Sequence, residues 1–346
     1  MKLYDDNGYV NIEAIYDLQL PFTFIVGSRG SGKTFSSLKM LLEKKIPHIL
    51  MRRKQTQVDM INRKELSPYK PVAEYLHIDY DIKPIAKGVT GFYFGTYDPD
   101  QDKMLTDNEP LGITLALSTI ANIRGFSADR AQVCLLDEFI GESQETEIRN
   151  EYDCFLNMYE TLNRNRELQG KPPLIVMALA NSNKADNPIF VGMGLVRILE
   201  RMKKNKQEVY INRDRGIGIF LLDSSPIAEL KRNTVLYRLN RDSDFNNMAI
   251  NNNFGFEDLP VIRSHNLKEY KPVVNVGELA IYEHKSNGRY YVTSHFSGSV
   301  PTYSSSMTDI KRFKLYYHYL WSLYMAQMID FEEYINLVLF ERYFTM

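Results

Sequence analysis

Short apolar runs alternate with amphipathic stretches over the first two thirds of the chain. "FTFIV" (22–26) reads as a buried strand. The stretch from Lys33 to about Lys45 reads as a helix with Phe35, Leu38, Leu41 and Leu42 on one side. "HILMRR" (48–53), "AQVCLLDEF" (131–139), "LIVMALA" (174–180) and "IGIFLLD" (217–223) predict four more strands. Continuous apolar strands separated by helices point to an α/β fold whose parallel sheet is covered on both faces. "GFYFG" (91–95) and "GITLALS" (112–118) read as an antiparallel pair inserted between them.

After Pro226 the pattern changes. Residues 226–258 are polar and rich in Asn and Asp, which predicts a linker with at most one helix. "ELAIYEH" (278–284) and "RYYVTSH" (289–295) then form a hairpin pattern around Ser286-Asn287-Gly288, where Asn-Gly is a strong turn signal. The polar stretch "SGSVPTYSSSMTD" leads into terminal helices, and Asp330 with Glu333 predicts a capping box for the last of them. The resulting division is 1–225, 226–258 and 259–346.

The chemistry concentrates where apolar runs stop. "FTFIV" runs into Gly27, Ser28, Arg29, Gly30, Ser31, Gly32, Lys33 and Thr34, the pattern of a phosphate-binding loop between a strand and a helix. Its glycines let backbone N–H groups close around phosphates. Lys33 can reach the terminal phosphates and the Thr34 hydroxyl can ligate Mg²⁺. "VCLLDEF" ends in Asp137 and Glu138. In a phosphate-loop NTPase the first acid holds Mg²⁺ and a second beside it is suited to polarise an attacking water, a hydrolase pattern more than a kinase one. ATP with Mg²⁺ is therefore the expected cofactor pair, with Thr34 and Asp137 on the metal. "LIVMALANSN" ends in Asn181-Ser182-Asn183, where an amide can sense the γ-phosphate; an ordinary Asn-rich turn accounts for the same stretch.

Composition sets bounds without choosing among functions. The 346 residues carry 42 Lys+Arg against 43 Asp+Glu, a net charge of −1, so whole-molecule charge gives no hint of a nucleic-acid partner. "RILERMKKNK" (197–206) and "KR" (231–232) are local basic clusters, each also readable as a solvated helix face. Cys134 and Cys154 have no metal or disulfide spacing, and Cys134 reads as core. Acids stand where a signal peptide has its apolar core, and apolar runs such as "PPLIVMALA" fall short of a membrane span. A cytoplasmic-type protein without membrane contact is expected.

"GSRGSGKT", "LLDEF", "NRNRE" and "ALANSN", in this order, together resemble the DNA-packaging ATPases of small protein-primed podophages, terminase-like motors. That resemblance implies a RecA-like ATPase domain of the additional-strand, catalytic-glutamate type, a linker subdomain, and a small α+β C-terminal domain resembling a ribonuclease-H-type nuclease without its catalytic acids. It implies a homomeric ring, pentameric in that family, docked in the host cytoplasm on the portal of a prohead and driving double-stranded DNA inward; a packaging RNA is left open. Large terminases often carry an arginine in the phosphate loop, which Arg29 matches. Arg164 matches the family's trans-acting finger. Arg124 matches a second basic residue in the loop before the acidic strand. Arg164 ranks first as finger, Arg124 second, and Arg29 is read as linking nucleotide state to the subunit interface. Arg166 is read as a solvated surface charge; Arg52 and Arg53 end the second strand and are read as forming a surface ion pair, with a place near the nucleotide for one of them as the alternative. Glu278 and Glu283 are the carboxylates of the predicted hairpin, without a run of acids at strand tips. A large terminase with an active nuclease is the alternative in the same motor class. A nucleotide-dependent phosphotransferase and a nucleotide-gated binding module are the alternatives outside it.

Overall fold

The structure, a computed structural model, describes residues 1–123, 129–141, 145, 148–181, 184–231, 234–235 and 259–345. It divides into two compact units, residues 1–184 with 205–254 and residues 185–204 with 255–346. The segment 185–204, from the middle of the chain, groups with the C-terminal part.

In the first unit β1 (Phe22–Gly27), β2 (His48–Arg52), β3 (Tyr80–Ala86), β4 (Val89–Asp98), β5 (Lys103–Thr106), β6 (Gly112–Ala116), β7 (Val133–Asp137), β8 (Ile175–Ala180), β9 (Val209–Asn212) and β10 (Ile217–Leu222) form one ten-stranded sheet. Its order is β3-β4-β6-β2-β7-β8-β1-β10-β9, with β5 on β4. From β6 to β10 every neighbouring pair is parallel. The strand carrying the phosphate-loop pattern and the strand carrying the acids are not neighbours; β8 lies between them.

The five apolar runs become β1, β2, β7, β8 and β10 because each is buried along nearly its whole length. Helices cover both faces. On α2 (Lys33–Glu43), Leu38, Leu41 and Leu42 enter one core with Ile25, Leu135 and Leu179. On α5 (Glu151–Asn163), Phe155 and Met158 are buried, and Phe155 and Tyr159 meet Phe22 with ring centroids 6.0 and 4.6 Å apart. Phe35 departs from its expected face. It stays exposed and meets Tyr75 of α4 (Tyr69–Leu76) edge-on. The expected inserted pair is also different in kind. Although β4 and β6 touch antiparallel at Gly91–Ile113 and Phe92–Gly112, β6 runs parallel to β2 as part of the main sheet, and β4 pairs mostly with β3 and β5.

The second unit holds α6 (Pro188–Gly192), α7 (Val196–Lys204) and a five-stranded sheet. β11 (Tyr270–Val276), β12 (Leu279–His284) and β13 (Tyr290–Thr293) form an antiparallel meander; β14 (Thr302–Tyr303) and β15 (Ile329–Phe331) add in parallel on opposite edges. α9 (Met307–Tyr317), α10 (Tyr319–Met325) and α11 (Tyr334–Thr345) complete it, while α8 (Pro226–Lys231) belongs to the first unit. The rest of the expected linker, 236–258, lies outside the described residues.

Asp330 does not cap α11. It sits in β15, buried, where Arg263 and Arg289 donate to it at 3.0 Å and the His265 ring lies at 2.9 Å. The N-terminus of α11 is closed instead by Asn336, whose side chain accepts the Glu333 N–H at 3.0 Å. No helix among the described residues is long and apolar enough to cross a membrane.

Candidate functional site

Parallel strands deliver their C-terminal tips to one edge of a sheet, and here three tips carry the chemistry. At the tip of β1 the chain turns through Gly30 (φ 74°) into Gly32 (φ 86°), the N-cap of α2, a left-handed path that glycine follows without strain. Gly27 is glycine for another reason: a Cβ there would stand 2.5 Å from the Leu222 side chain on β10. Lys33 is 4% exposed and curls back, its Nζ donating to the carbonyls of Gly27 and Ser28, both at 2.9 Å, and to Ser31 Oγ at 3.1 Å. The ammonium already points along the concave side of the loop. Ser28 Oγ, also buried, has no hydrogen-bond partner among the described residues.

Asp137 closes β7 with its carboxylate buried, and the Thr34 hydroxyl donates to it at 3.0 and 3.1 Å. The register of β2 on β7 pairs Met51 with Leu136, so the next residue, Arg52, stands beside Asp137. Its Nη2 is 2.8 Å from Asp137 Oδ2, and its Nη1 is ion-paired with Glu138. Burial pushes the Asp137 carboxyl above its ordinary pKa; Arg52 pulls it back, Glu138 pushes it further up, and the Thr34 hydrogen bond opposes. Glu138 is 43% exposed and adopts φ 58°, the left-handed region. A non-glycine residue held there stores roughly 1–3 kcal/mol, and such strain concentrates at functional sites. Arg52 Nε is buried with no hydrogen-bond partner among the described residues, so this guanidinium is held by the two acids.

The sequence predicts a surface ion pair for Arg52, with a place near the nucleotide as the alternative; the structure puts its largely buried guanidinium on the two acids. The available signal was "HILMRR" itself, a buried stretch of His48 and three apolar residues ending in arginine just as "VCLLDE" ends in acids. Arg53 is not in a surface ion pair either. It is buried, forks onto Glu151 at 2.7 and 2.9 Å, and reaches Glu145 at 2.7 Å. Its guanidinium also fills the space a Cβ on Gly141 would need, 2.2 Å from Nη1. One side chain thereby fastens β2 to the start of α5 and to the segment following Glu138. Removing it strands a buried Glu151 charge, so Arg53→Ala is expected to cost about 3–5 kcal/mol. Denaturant unfolding measures this, and Arg53→Met with Glu151→Leu should recover most of the loss. A shift below 1 kcal/mol for Arg53→Ala would mean the clamp is not a stability element.

The remaining candidates separate by position. Asn181 follows β8 at the edge where Leu179 pairs with Asp137 and Ala180 with Val26, between the phosphate loop and the acids. Arg29 is exposed at the loop. Arg124 lies outside the described residues. Arg164 ends α5 at φ 49°, with its Nη1 3.3 Å from Asp129, which precedes β7 at the opposite edge of the sheet. A strand the length of β7 spans about 15 Å, so Arg164 does not join the acids of its own chain. Arg166 was expected as a solvated charge. Instead it donates to the carbonyls of Asp129 and Ala131 and ties the end of α5 to the lead-in of β7.

In the second unit Glu278 and Glu283 stand at opposite ends of β12, and Glu283 pairs with Lys271 at 3.1 Å. Among the described residues no group of three or more His, Cys, Asp or Glu is placed to hold a metal. On α7 Val196, Leu199 and Met202 are buried, and Arg197 bonds Glu333 at 2.7 Å, so the basic run there is a helix face with an apolar back.

Comparison with known proteins converges on one group. The profile of the family described as podovirus DNA encapsidation protein (Gp16) matches residues 4–311. The chain is 26% identical over 232 residues to the DNA packaging protein of Bacillus phage B103, a match spanning 67% of this chain and 63% of that protein. Its fold resembles the Phi-28 gp11 DNA packaging motor, at TM-score 0.62 and 20% identity over 98% of this chain and 97% of that one. It also resembles the bacteriophage Phi-29 viral genome packaging motor assembly, at TM-score 0.66 and 17% identity over 97% and 98%. The chain, which carries a phosphate loop and an acidic strand tip on one sheet edge, belongs to the podovirus DNA encapsidation protein (Gp16) family.

Proposed function

We propose that this protein is the ATP-hydrolysing subunit of a ring motor that drives double-stranded viral DNA into a prohead. The observation that carries the reading is the contact of Thr34 with Asp137, beside Glu138, at the edge where the phosphate loop opens. Family membership supplies the cargo. β8 standing between β1 and β7 supports a RecA-like domain of the additional-strand type.

The residues fit ATP with Mg²⁺. A hydroxyl and a buried carboxylate 3.0 Å apart are the hard oxygen donors magnesium takes, and the buried Ser28 Oγ of the phosphate loop has no hydrogen-bond partner among the described residues. Mg²⁺ held by Thr34 and Asp137 would neutralise charge on the β- and γ-phosphates. Lys33 exchanges the loop carbonyls for phosphate oxygens with little movement of its stem. Arg52 stands where a cation is wanted, on Asp137, and must release that carboxylate for the metal-ligating role. Leaving Asp137 also frees Glu138, whose carboxylate then takes a proton from the attacking water. Asn181, beside both, can donate an amide hydrogen bond to the terminal phosphate.

Arg164 acts on the neighbouring subunit's nucleotide in this reading, since its own is across the sheet; Arg124 is the second candidate for that role, and Arg29 couples the loop to the interface. The ring is a homo-oligomer, pentameric, docked on the portal in the host cytoplasm, and a packaging RNA is a further candidate partner. Residues 259–346 are a vestigial nuclease-like domain. Two glutamates at opposite ends of one strand, and an Asp330 already satisfied by two arginines and a histidine, support binding without cleavage.

Phosphate release by the assembled oligomer, measured with and without double-stranded DNA, tests the proposal. Release without any acceptor, accelerated by DNA and weakened by salt, is expected. Phosphate transfer only to an added acceptor would replace the motor with a phosphotransferase.

A further inference from the structure

The arginine that the fold sets across the sheet from its own acids stands on a braced turn. α5 ends at Arg164 with φ 49° and ψ −134°. That pair of angles lies outside the helical, extended and left-handed regions open to a residue with a Cβ. Such backbone persists only where its surroundings over-determine it, and it concentrates where function needs one geometry. Two side chains of the same turn hold it. Asn163, 4% exposed, accepts the Leu174 N–H on Oδ1 at 2.7 Å and donates from Nδ2 to Glu167 at 3.0 Å. Arg166 donates from Nη2 to the carbonyls of Asp129, at 3.2 Å, and Ala131.

Backbone bonds complete the brace. The Arg164 N–H closes α5 on the Glu160 carbonyl, and the Lys171 N–H returns to the Arg166 carbonyl, both at 2.9 Å. Between them lies the short 3₁₀ helix Glu167–Gln169, left through Gly170 at φ 70°. Ala131 leads into β7 and Leu174 into β8, so the turn is pinned to the entrances of both strands. Asp129 is held through its carbonyl while its carboxylate meets Arg164 Nη1 at 3.3 Å. Exposure divides the turn by task. Arg164 keeps 41% of its side chain in solvent, whereas Asn163 is buried and Arg166 half-buried.

We propose that Arg166 and Asn163 are positioning residues that hold Arg164 in the geometry that reaches a neighbouring subunit's nucleotide. This rests on the reading of Arg164 as a residue delivered to a neighbour, and assigns what aims it. A guanidinium serves a phosphoryl-transfer transition state only when it meets the developing charge, and a displacement of about 1 Å can cost about 100-fold in rate. Loosening the turn lets the Arg164 backbone relax into an ordinary region and swings the side chain off its target. Asn163 also satisfies the buried Leu174 N–H, so its removal threatens folding as well. Arg166 is therefore the residue to vary.

Rings of Arg166→Ala subunits are expected to turn over ATP about 10- to 100-fold more slowly, with ATP affinity within about twofold of the unaltered protein. Arg166→Lys should recover most of the rate, because both bonds leave one nitrogen and an ammonium can make them. Adding Arg166→Ala to Arg164→Ala should slow turnover by no more than about twofold further, since aim is irrelevant once the finger is gone. Rings mixing Arg166→Ala with Glu138→Gln subunits should regain turnover, because the first keep an intact site and the second an intact turn. Full turnover by Arg166→Ala, an independent loss in the Arg164→Ala background, or no recovery in mixed rings would each overturn the proposal. Normal turnover by Arg164→Ala would instead remove the finger itself, and the positioning role with it.

Discussion

Glu138→Gln subunits are expected to bind ATP as the unaltered protein does and to release phosphate about 10²–10⁴-fold more slowly. The amide keeps the size and the hydrogen-bonding reach of the carboxylate but cannot accept a proton from water. Glu138 has the required position: it follows the buried Asp137 and keeps a partly exposed carboxylate on a backbone held at positive φ. The neighbouring Lys33→Ala should behave differently. Its Nζ donates to the Gly27 and Ser28 carbonyls of the loop and, on the proposed reading, would contact ground-state phosphate, so binding itself should be lost. The pair of variants is read by nucleotide affinity and by single-turnover phosphate release. Normal turnover by the Gln variant would remove Glu138 from the reaction and leave Asp137 to be explained without it. The Gln substitution also removes the charge that Arg52 pairs with, so a fall in turnover with unchanged affinity separates loss of the base from loss of the ion pair.

What was legible in the sequence, and what was not, follows from how each feature is stabilised. The five buried strands could be read because burial on both faces leaves a run of apolar residues that no helix period explains. The phosphate loop could be read because its glycines and lysine are adjacent in sequence. β3 could not, since its residues are mostly exposed or half-buried and carry Pro84 at a shift in register. β14 and β15, of two and three residues, exist only because partner strands supply their hydrogen bonds. Arg52 escaped for a similar reason. Its partners Asp137 and Glu138 are about 85 positions away, and only the register of β2 on β7 brings them together. Arg53 and Glu151 repeat the case across another long separation. Asp330 shows the converse error. A local acid pattern resembled a cap, but Asp330 is itself buried, and its pairing with Arg263 and Arg289 outbids a solvent-facing role.

The position of Arg164 gives the most demanding test. It sits at the strand edge opposite the phosphate loop, beside Asp129, so within one chain it stands about a strand length from Asp137. If hydrolysis uses this guanidinium, it must be delivered to a neighbour. Rings built wholly of Arg164→Ala subunits are expected to lose about 10³-fold or more in turnover, the scale of an arginine supplied at a phosphoryl-transfer transition state, with ATP affinity little changed. Folding should be unaffected, because the half-exposed pair with Asp129 contributes little. The decisive measurement mixes Arg164→Ala with Glu138→Gln subunits, each inactive alone. An Arg164→Ala subunit keeps its own Glu138 and phosphate loop, and a Glu138→Gln neighbour can still present Arg164 to it. Mixed rings should therefore recover turnover in proportion to the number of such junctions, and adding Arg164→Ala to the Glu138→Gln subunits should abolish the recovery. If demonstrably mixed rings stay inactive, Arg164 either acts within its own chain after a rearrangement across the sheet or takes no part, and Arg124 becomes the finger to test by the same mixing.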